Sequence, residues 1–468
     1  MSNQDPSVIF SKFFQDTKFE DLPDNVITEV KKQILDYIGV AIAGASKPGA
    51  EQVRLLNEAN GGVEQATVWG SGKKLPVAYA GWVNSTMGHT LDMDDVHEDA
   101  VMHPGVVSIP TSLVMAEYVG GMTGKDLITS VALGSDMICR MSLAVYPGES
   151  KIPYGWHFTS LNSSMVSGNI AAKAMGLSLE ETVNTFGIAY HQTGGNGQPA
   201  KDGVLTKRLG PGFGVRNGIT SALLAKMGVT GTPVAFEGEW GFINVYHRGP
   251  EKYSRDLLVG DLGKRWECAN VEIKPYPCCR GGHHFVQLGL KMRNEMGVDP
   301  EQVEKIKIFT GPATVGLLGQ PLSKKAFPPD TVTSQFSLSW DFCSALAMGK
   351  CGLVEFYEDE RGIKNPKILA LTSKIESLEG EEALALPGFD AARVEVYMKD
   401  GTVYNEFQAR PNSMTYEDVL AKYDGCLQAA DRPIPEANGK QLKEMIADLE
   451  NVKDVREIIK LIRWTEAK

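Results

Sequence analysis

The densest run of chemically able side chains lies between His89 and Gly105, where His89, His97 and His103 alternate with Asp92, Asp94, Asp95 and Asp99. Buried carboxylates need partners, so such a run makes a poor core and a poor surface helix. It suits proton transfer or a divalent cation. Asp92, Asp94, Asp95, His97 and His103 are all competent ligands, but their spacing matches neither HExxH nor an EF-hand loop. Acid/base chemistry is therefore the preferred reading, no metal is assigned, and an inert polar loop is the bland alternative.

Three further stretches carry useful groups. His157 sits between Trp156 and Phe158, just before an expected helix with Thr159 or Ser160 as N-cap; alone, it reads as a core histidine. Residues 203–214, GVLTKRLGPGFG, place Lys207 and Arg208 in an expected glycine-rich loop leading to a helix near Val215. Two cations beside flexible backbone suit capture of a carboxylate or phosphate, Arg208 in bidentate fashion, although an exposed basic loop would look the same. Neither a Walker loop nor a GxGxxG fingerprint is present. Finally, Lys274-Pro275-Tyr276-Pro277-Cys278-Cys279-Arg280 follows a short strand expected at residues 271–274, its prolines holding the chain extended. Arg280, His283 and His284 could lower a thiol pKa, but no cysteine-hydrolase signature accompanies them, and buried inert thiols are the simpler reading.

These groups need a scaffold, and 468 residues are more than one hydrophobic core normally serves. Helical periodicity appears at residues 26–43, 107–119, 125–144, 159–176 and 179–191. Near Cys268 the period shortens to two: residues 303–309 alternate, and residues 392–398 and 402–407 flank Asp400-Gly401, a hairpin dipeptide. After Arg410-Pro411 helical patterns return at 415–423, 439–449 and 452–464. The expected fold is mainly α with an α+β domain: a discontinuous helical-bundle domain, residues 1–267 and 409–468, carrying an inserted α+β lid domain at 268–408.

A net charge of −11 disfavours nucleic acid and anionic membranes as partners, and an anionic substrate would need a local basic pocket. The apolar runs are too short to span a bilayer, and the first residues do not read as a signal peptide, so a cytoplasmic setting is expected. Seven scattered cysteines without a CxxC pair read as reduced thiols rather than a metal centre.

Taken in order, His89-x-Leu91-Asp92-x-Asp94-Asp95 with His103-Pro104-Gly105, Gly155-x-His157, Thr206-Lys207-Arg208-Leu209 and Lys274-Pro275-Tyr276-Pro277-Cys278-Cys279-Arg280 resemble the MmgE/PrpD family over nearly the whole chain. Its members dehydrate 2-methylcitrate, decarboxylate cis-aconitate or epimerise iminodisuccinate. The resemblance implies an active site between the two domains, a homodimer, no cofactor and a small polycarboxylate substrate. It places catalytic roles on Asp92, His103, His157, Lys207 and Lys274, and substrate contacts on Arg208, Cys279, Arg280 and Trp340. Cys279 stands where the decarboxylase has a histidine, Trp340 where it has a tyrosine, and Val96 where relatives can carry threonine. An indole cannot act as a phenolic acid, so decarboxylation is less favoured; dehydration, the family's most familiar activity, is preferred narrowly, with epimerisation as the alternative. Outside this class, a metal-dependent hydrolase and a non-catalytic binding protein remain open.

Overall fold

The computed structural model describes residues 4–465, so the first and last three residues of the sequence-assigned helical domain lie outside the described residues. Two buried apolar clusters organise the chain. The larger draws on residues from Phe10 to Val271 and again from Tyr423 to Ile462; the smaller runs from Cys278 to Met398, joined by Val96 and Ala200.

The larger cluster is helical. Helices Asp24–Gly44, Val77–His89, Gly105–Tyr118, Gly124–Leu143, Phe158–Ala174 and Leu179–His191 form where the apolar spacing points, within a few residues. Thr123 and Ser178 cap two of them, each accepting the N–H three residues on, with Asp126 and Glu181 reciprocating. After residue 410, Tyr416–Ala429 and Glu436–Ala447 return to this cluster. The pattern at 452–464 shrinks to Arg456–Leu461, because the chain beyond it leaves the helix: the Trp464 N–H donates to Gly70 O.

The expected loop at 203–214 is a correction. Helix Thr206–Lys226 starts well before Val215 and contains Gly210, Pro211, Gly212 and Gly214. Those glycines permit close packing rather than flexibility. A Cβ on Gly214 would lie 2.3 Å from Ser163 Oγ, and one on Gly218 2.0 Å from Ser167 Oγ, both on helix Phe158–Ala174. On another face, a Cβ on Gly212 would meet Thr86 and Trp82 of helix Val77–His89.

The smaller cluster is α+β. Its four-stranded sheet has the order Ile375–Gly380, Val303–Thr310, Ala392–Met398, Val403–Gln408; the first pair is parallel and the others antiparallel. Strand Ala392–Met398 buries alternate residues, helix His283–Asn294 packs beside it, and helix Leu338–Met348 packs against that helix. Gly401 takes φ +88° in the hairpin turn. The strand expected at 271–274 does not form: Glu272 makes only an isolated bridge with Val96, and Pro275 and Pro277 supply no N–H to extend a ladder. Among the described residues no helix is long and apolar enough to cross a membrane.

Candidate functional site

The non-helical stretch from Thr90 to Pro104 carries the site and is pinned from several directions. Gln335 Nε2 donates to Leu91 O at 2.7 Å, Lys422 Nζ to Met93 O at 2.8 Å, and the Gly105 N–H to Asp95 Oδ1 at 3.0 Å. Lys422 is itself paired at 2.6 Å with buried Asp36. Asp92 adopts φ +53°, a left-handed conformation that costs a non-glycine residue about 1–2 kcal/mol and is tolerated best by Asn and Asp. These braces hold it there.

Three imidazoles lie together. His89 is the middle one, its ring centre 5.0 Å from that of His103 and 5.6 Å from that of His157. His89 Nδ1 meets Asp94 Oδ2 at 2.7 Å. His103 Nδ1 lies 2.7 Å from the Asp95 carbonyl oxygen, which can only accept, so Nδ1 carries the hydrogen and Nε2 keeps its lone pair. His157, not Thr159 or Ser160, occupies the N-cap of helix Phe158–Ala174, with Nδ1 2.6 Å from Ser160 Oγ; Thr159 Oγ1 instead accepts the His103 N–H. Burial pushes His103 down to about 3 despite Asp94, and pushes His157 well below the usual imidazole value with help from Lys207. Burial lowers His89 in the same way, so all three rings are held toward the neutral form.

Asp92 stands between two ammonium groups. Lys207 Nζ, from the first turn of helix Thr206–Lys226, is 2.6 Å from Asp92 Oδ1, and Lys274 Nζ is 3.4 Å from the same oxygen. Burial works against the charge on Asp92, but Lys207 and Lys274 outweigh it and hold the carboxyl well below its usual range. Lys274, fully buried, is likewise held above its usual value once Asp92 and Asp94 overcome its desolvation.

A cavity of about 720 Å³ opens beside these groups. Asp92, His103, His157, Lys207, Cys279 and Arg280 line it, and Lys274 lies directly behind Asp92. Apolar side chains complete it, among them Ile152, Phe158, Leu317, Phe336 and Phe389. Arg280 is clamped by Glu98, with Nε 2.6 Å from Oε1. Burial pushes the Cys279 thiol up to about 12, which makes it a neutral wall group and a poor nucleophile.

Two expected contacts are not brought to this cavity. Arg208 turns away to donate to Pro48 O at 2.7 Å and Gln335 Oε1 at 3.3 Å, tying its helix to helix Thr331–Gln335. Trp340 is wholly buried in the smaller cluster, its indole N–H donating to Glu355 O at 3.0 Å. The sequence reading also missed Lys151 and the apolar residues on the cavity wall. Scattered singly, they carry no motif, and Lys151 reads as one surface lysine in a turn.

His89, Asp94 and His103 offer ligand atoms within 4.8 Å of one another. In the tautomer fixed by Asp95, only Nε2 of His103 has a lone pair to offer such a cluster.

Family models for the MmgE/PrpD N-terminal and C-terminal domains match residues 8–254 and 276–451. The chain is 26% identical over 473 residues to the cis-aconitate decarboxylase of Aspergillus terreus, an alignment covering 95% of this chain and 93% of that protein. It is 24% identical to the cis-aconitate decarboxylase of Mus musculus, covering 85% and 80%, and 25% identical to that of Homo sapiens, covering 85% and 81%. With both of its halves matched, the chain belongs to the MmgE/PrpD family.

Proposed function

We propose that the chain is a lyase that moves a proton through an imidazole on a small polycarboxylate, and that its reaction is decarboxylation of a cis-aconitate-like acid. The convergence of His103, His157, Asp92 and Lys207 on one cavity, with Lys274 behind, is the observation that carries the class. The printed names of the relatives support decarboxylation. The argument against it from Trp340 lapses, because that indole lies away from the cavity.

In such a substrate the bond to a methylene-borne carboxylate breaks, carbon dioxide leaves, and the freed pair forms a new alkene. The old alkene's pair takes a proton at its far carbon. His103 or His157 delivers that proton, and Lys207, backed by Lys274 through Asp92, faces the remaining carboxylates. An imidazole held neutral must first gain the proton, and the substrate's negative charge favours this. Binding is therefore accompanied by proton uptake.

Dehydration keeps one observation in its favour: neutral imidazoles are already bases, which is what abstraction from a hydroxy acid needs. No observation favours epimerisation, and it is not carried forward. The homodimer expected from the resemblance belongs to this reading, and sedimentation tests it.

Incubation with cis-aconitate, citrate and 2-methylcitrate in deuterated water, followed by NMR, decides between the two. A decarboxylated alkene carrying one new deuterium is the expected product from cis-aconitate. Loss of water from either hydroxy acid would assign dehydration instead. Binding without turnover of any of the three would overturn both and point to a binding protein. Activity is expected to survive exhaustive chelation; activity lost and then restored by zinc would place a metal on His89, Asp94 and His103.

A further inference from the structure

The cations already described are spoken for. Lys207 and Lys274 share Asp92, Arg280 is clamped by Glu98, and Arg208 donates to Pro48 O and Gln335. Lys151 is different. It is only 3% exposed, it lines the main cavity, and among the described residues no hydrogen bond or ion pair engages its Nζ. Asp99 and Glu149 act on it only from a distance, and Glu149 is paired with Lys252 at 2.6 Å. A buried ammonium without a partner is costly, so a position that keeps one is suited to a ligand that supplies the missing charge.

Lys151 stands in the wall between the main cavity and a second one of about 450 Å³. The second is lined by Glu98, Asp99, Glu267 and Glu272, with Arg265 and Arg410 pairing three of these acids, and so leaves no surplus of positive charge for an anion. The main cavity is lined by Lys151, Lys201, Lys207 and Arg280 against one carboxylate, Asp92, an excess of positive charge that attracts an anion. Lys151 shares the cavity wall with Asp92 and Lys207 and with apolar residues such as Ile152 and Phe158, while the charges that act on it are those of Asp99 and Glu149, not of the Asp92 group.

We infer that Lys151 is the anchor for a second carboxylate of the substrate, at a subsite apart from Lys207 and Lys274. Burial pushes its ammonium down to about 8, so a bound carboxylate both pairs it and keeps it charged. Lys151 thereby sets the substrate class: an acid whose carboxylates reach both subsites is held at two points, and a shorter one at only one. This rests on the polycarboxylate reading above.

Calorimetric binding of tricarballylate, an unreactive tricarboxylate, and of a single-carboxylate acid such as propionate tests it in the full chain. Lys151→Met is expected to bind tricarballylate about 10- to 100-fold more weakly than the wild type, to leave propionate unchanged, and to be largely rescued in Lys151→Arg. In turnover the loss should fall on KM rather than kcat. Unchanged tricarballylate affinity in Lys151→Met overturns the assignment. An equal loss for both acids does so too, since it would mean a general disturbance of the cavity. Should the wild type bind neither acid, the polycarboxylate reading itself falls.

Discussion

At the scale of single residues, Asp92 does two jobs that substitution can separate. Its charge neutralises Lys207 and Lys274, and its short polar side chain tolerates φ +53°. Asp92→Asn keeps the second and removes the first, leaving two buried ammonium groups facing each other. Loss of one member of a buried charge cluster costs about 3–5 kcal/mol. The urea midpoint should drop accordingly, and activity should fall with it; an unchanged midpoint would mean that Asp92 is not the partner of these lysines. His103 makes a contrasting case, because its fixed tautomer presents Nε2 as a proton carrier without anchoring an anion. His103→Gln should lower kcat about 10²- to 10⁴-fold while KM stays within a few-fold. A rise in KM with kcat preserved would assign His103 to binding instead.

At the scale of elements, the glycines of helix Thr206–Lys226 hold Lys207 against Asp92 by letting neighbouring helices approach. At Gly218 a Cβ would lie 2.3 Å from Ser164 O as well as 2.0 Å from Ser167 Oγ, so Gly218→Ala must push the helices apart. Overpacking of this kind costs about 1–3 kcal/mol. Gly425, exposed within helix Tyr416–Ala429 with nothing inside 4 Å, provides the opposite case, and Gly425→Ala should stabilise by about 0.5–1 kcal/mol. Chemical denaturation of the two variants checks both signs. The same helix shows where sequence reasoning stops. Amphipathic helices such as Gly124–Leu143 were legible because one stripe of their residues must be apolar. Glycine, by contrast, signals a loop and a close packing face in the same way, and only the neighbours Ser163 and Ser167 distinguish them. Strand Ile375–Gly380 went unread because IESLEG offers only two apolar residues. In the site, His103, Asp92 and Lys207 were legible through titratable and cationic motifs, whereas Leu317 and Phe389 are ordinary apolar residues until the fold sets them on the cavity wall.

At the scale of the whole molecule, the placement of charge-capable groups between two clusters makes folding sensitive to acid. Seven histidines, His89, His97, His103, His157, His247, His283 and His284, are held below the ordinary imidazole value, in each case with burial as the first cause. In the unfolded chain they take up protons near pH 6.5. The folded chain refuses those protons until the pH falls much further, to about 4 for His97 and about 3 for His103 and His284. Stability that these groups contribute is thus complete above pH 6.5 and declines as pH falls below it. Four aspartates oppose the trend. Burial raises Asp36, Asp95, Asp136 and Asp341, Asp136 to about 6, so the folded chain binds their protons before the unfolded chain does. The lowered histidines outnumber these aspartates, and lowered carboxylates such as Asp92 and Asp261 act in the same direction as the histidines, so the balance on acidification lies toward unfolding. The urea midpoint should therefore be lower at pH 5 than at pH 7. A saturating polycarboxylate should reduce the loss, because a ligand that draws protons onto His103 or His157 raises their folded values and so narrows the proton difference between the folded and unfolded chain. A midpoint equal or higher at pH 5 would mean that the buried imidazoles are already charged in the folded protein, and that proton uptake on substrate binding should not occur.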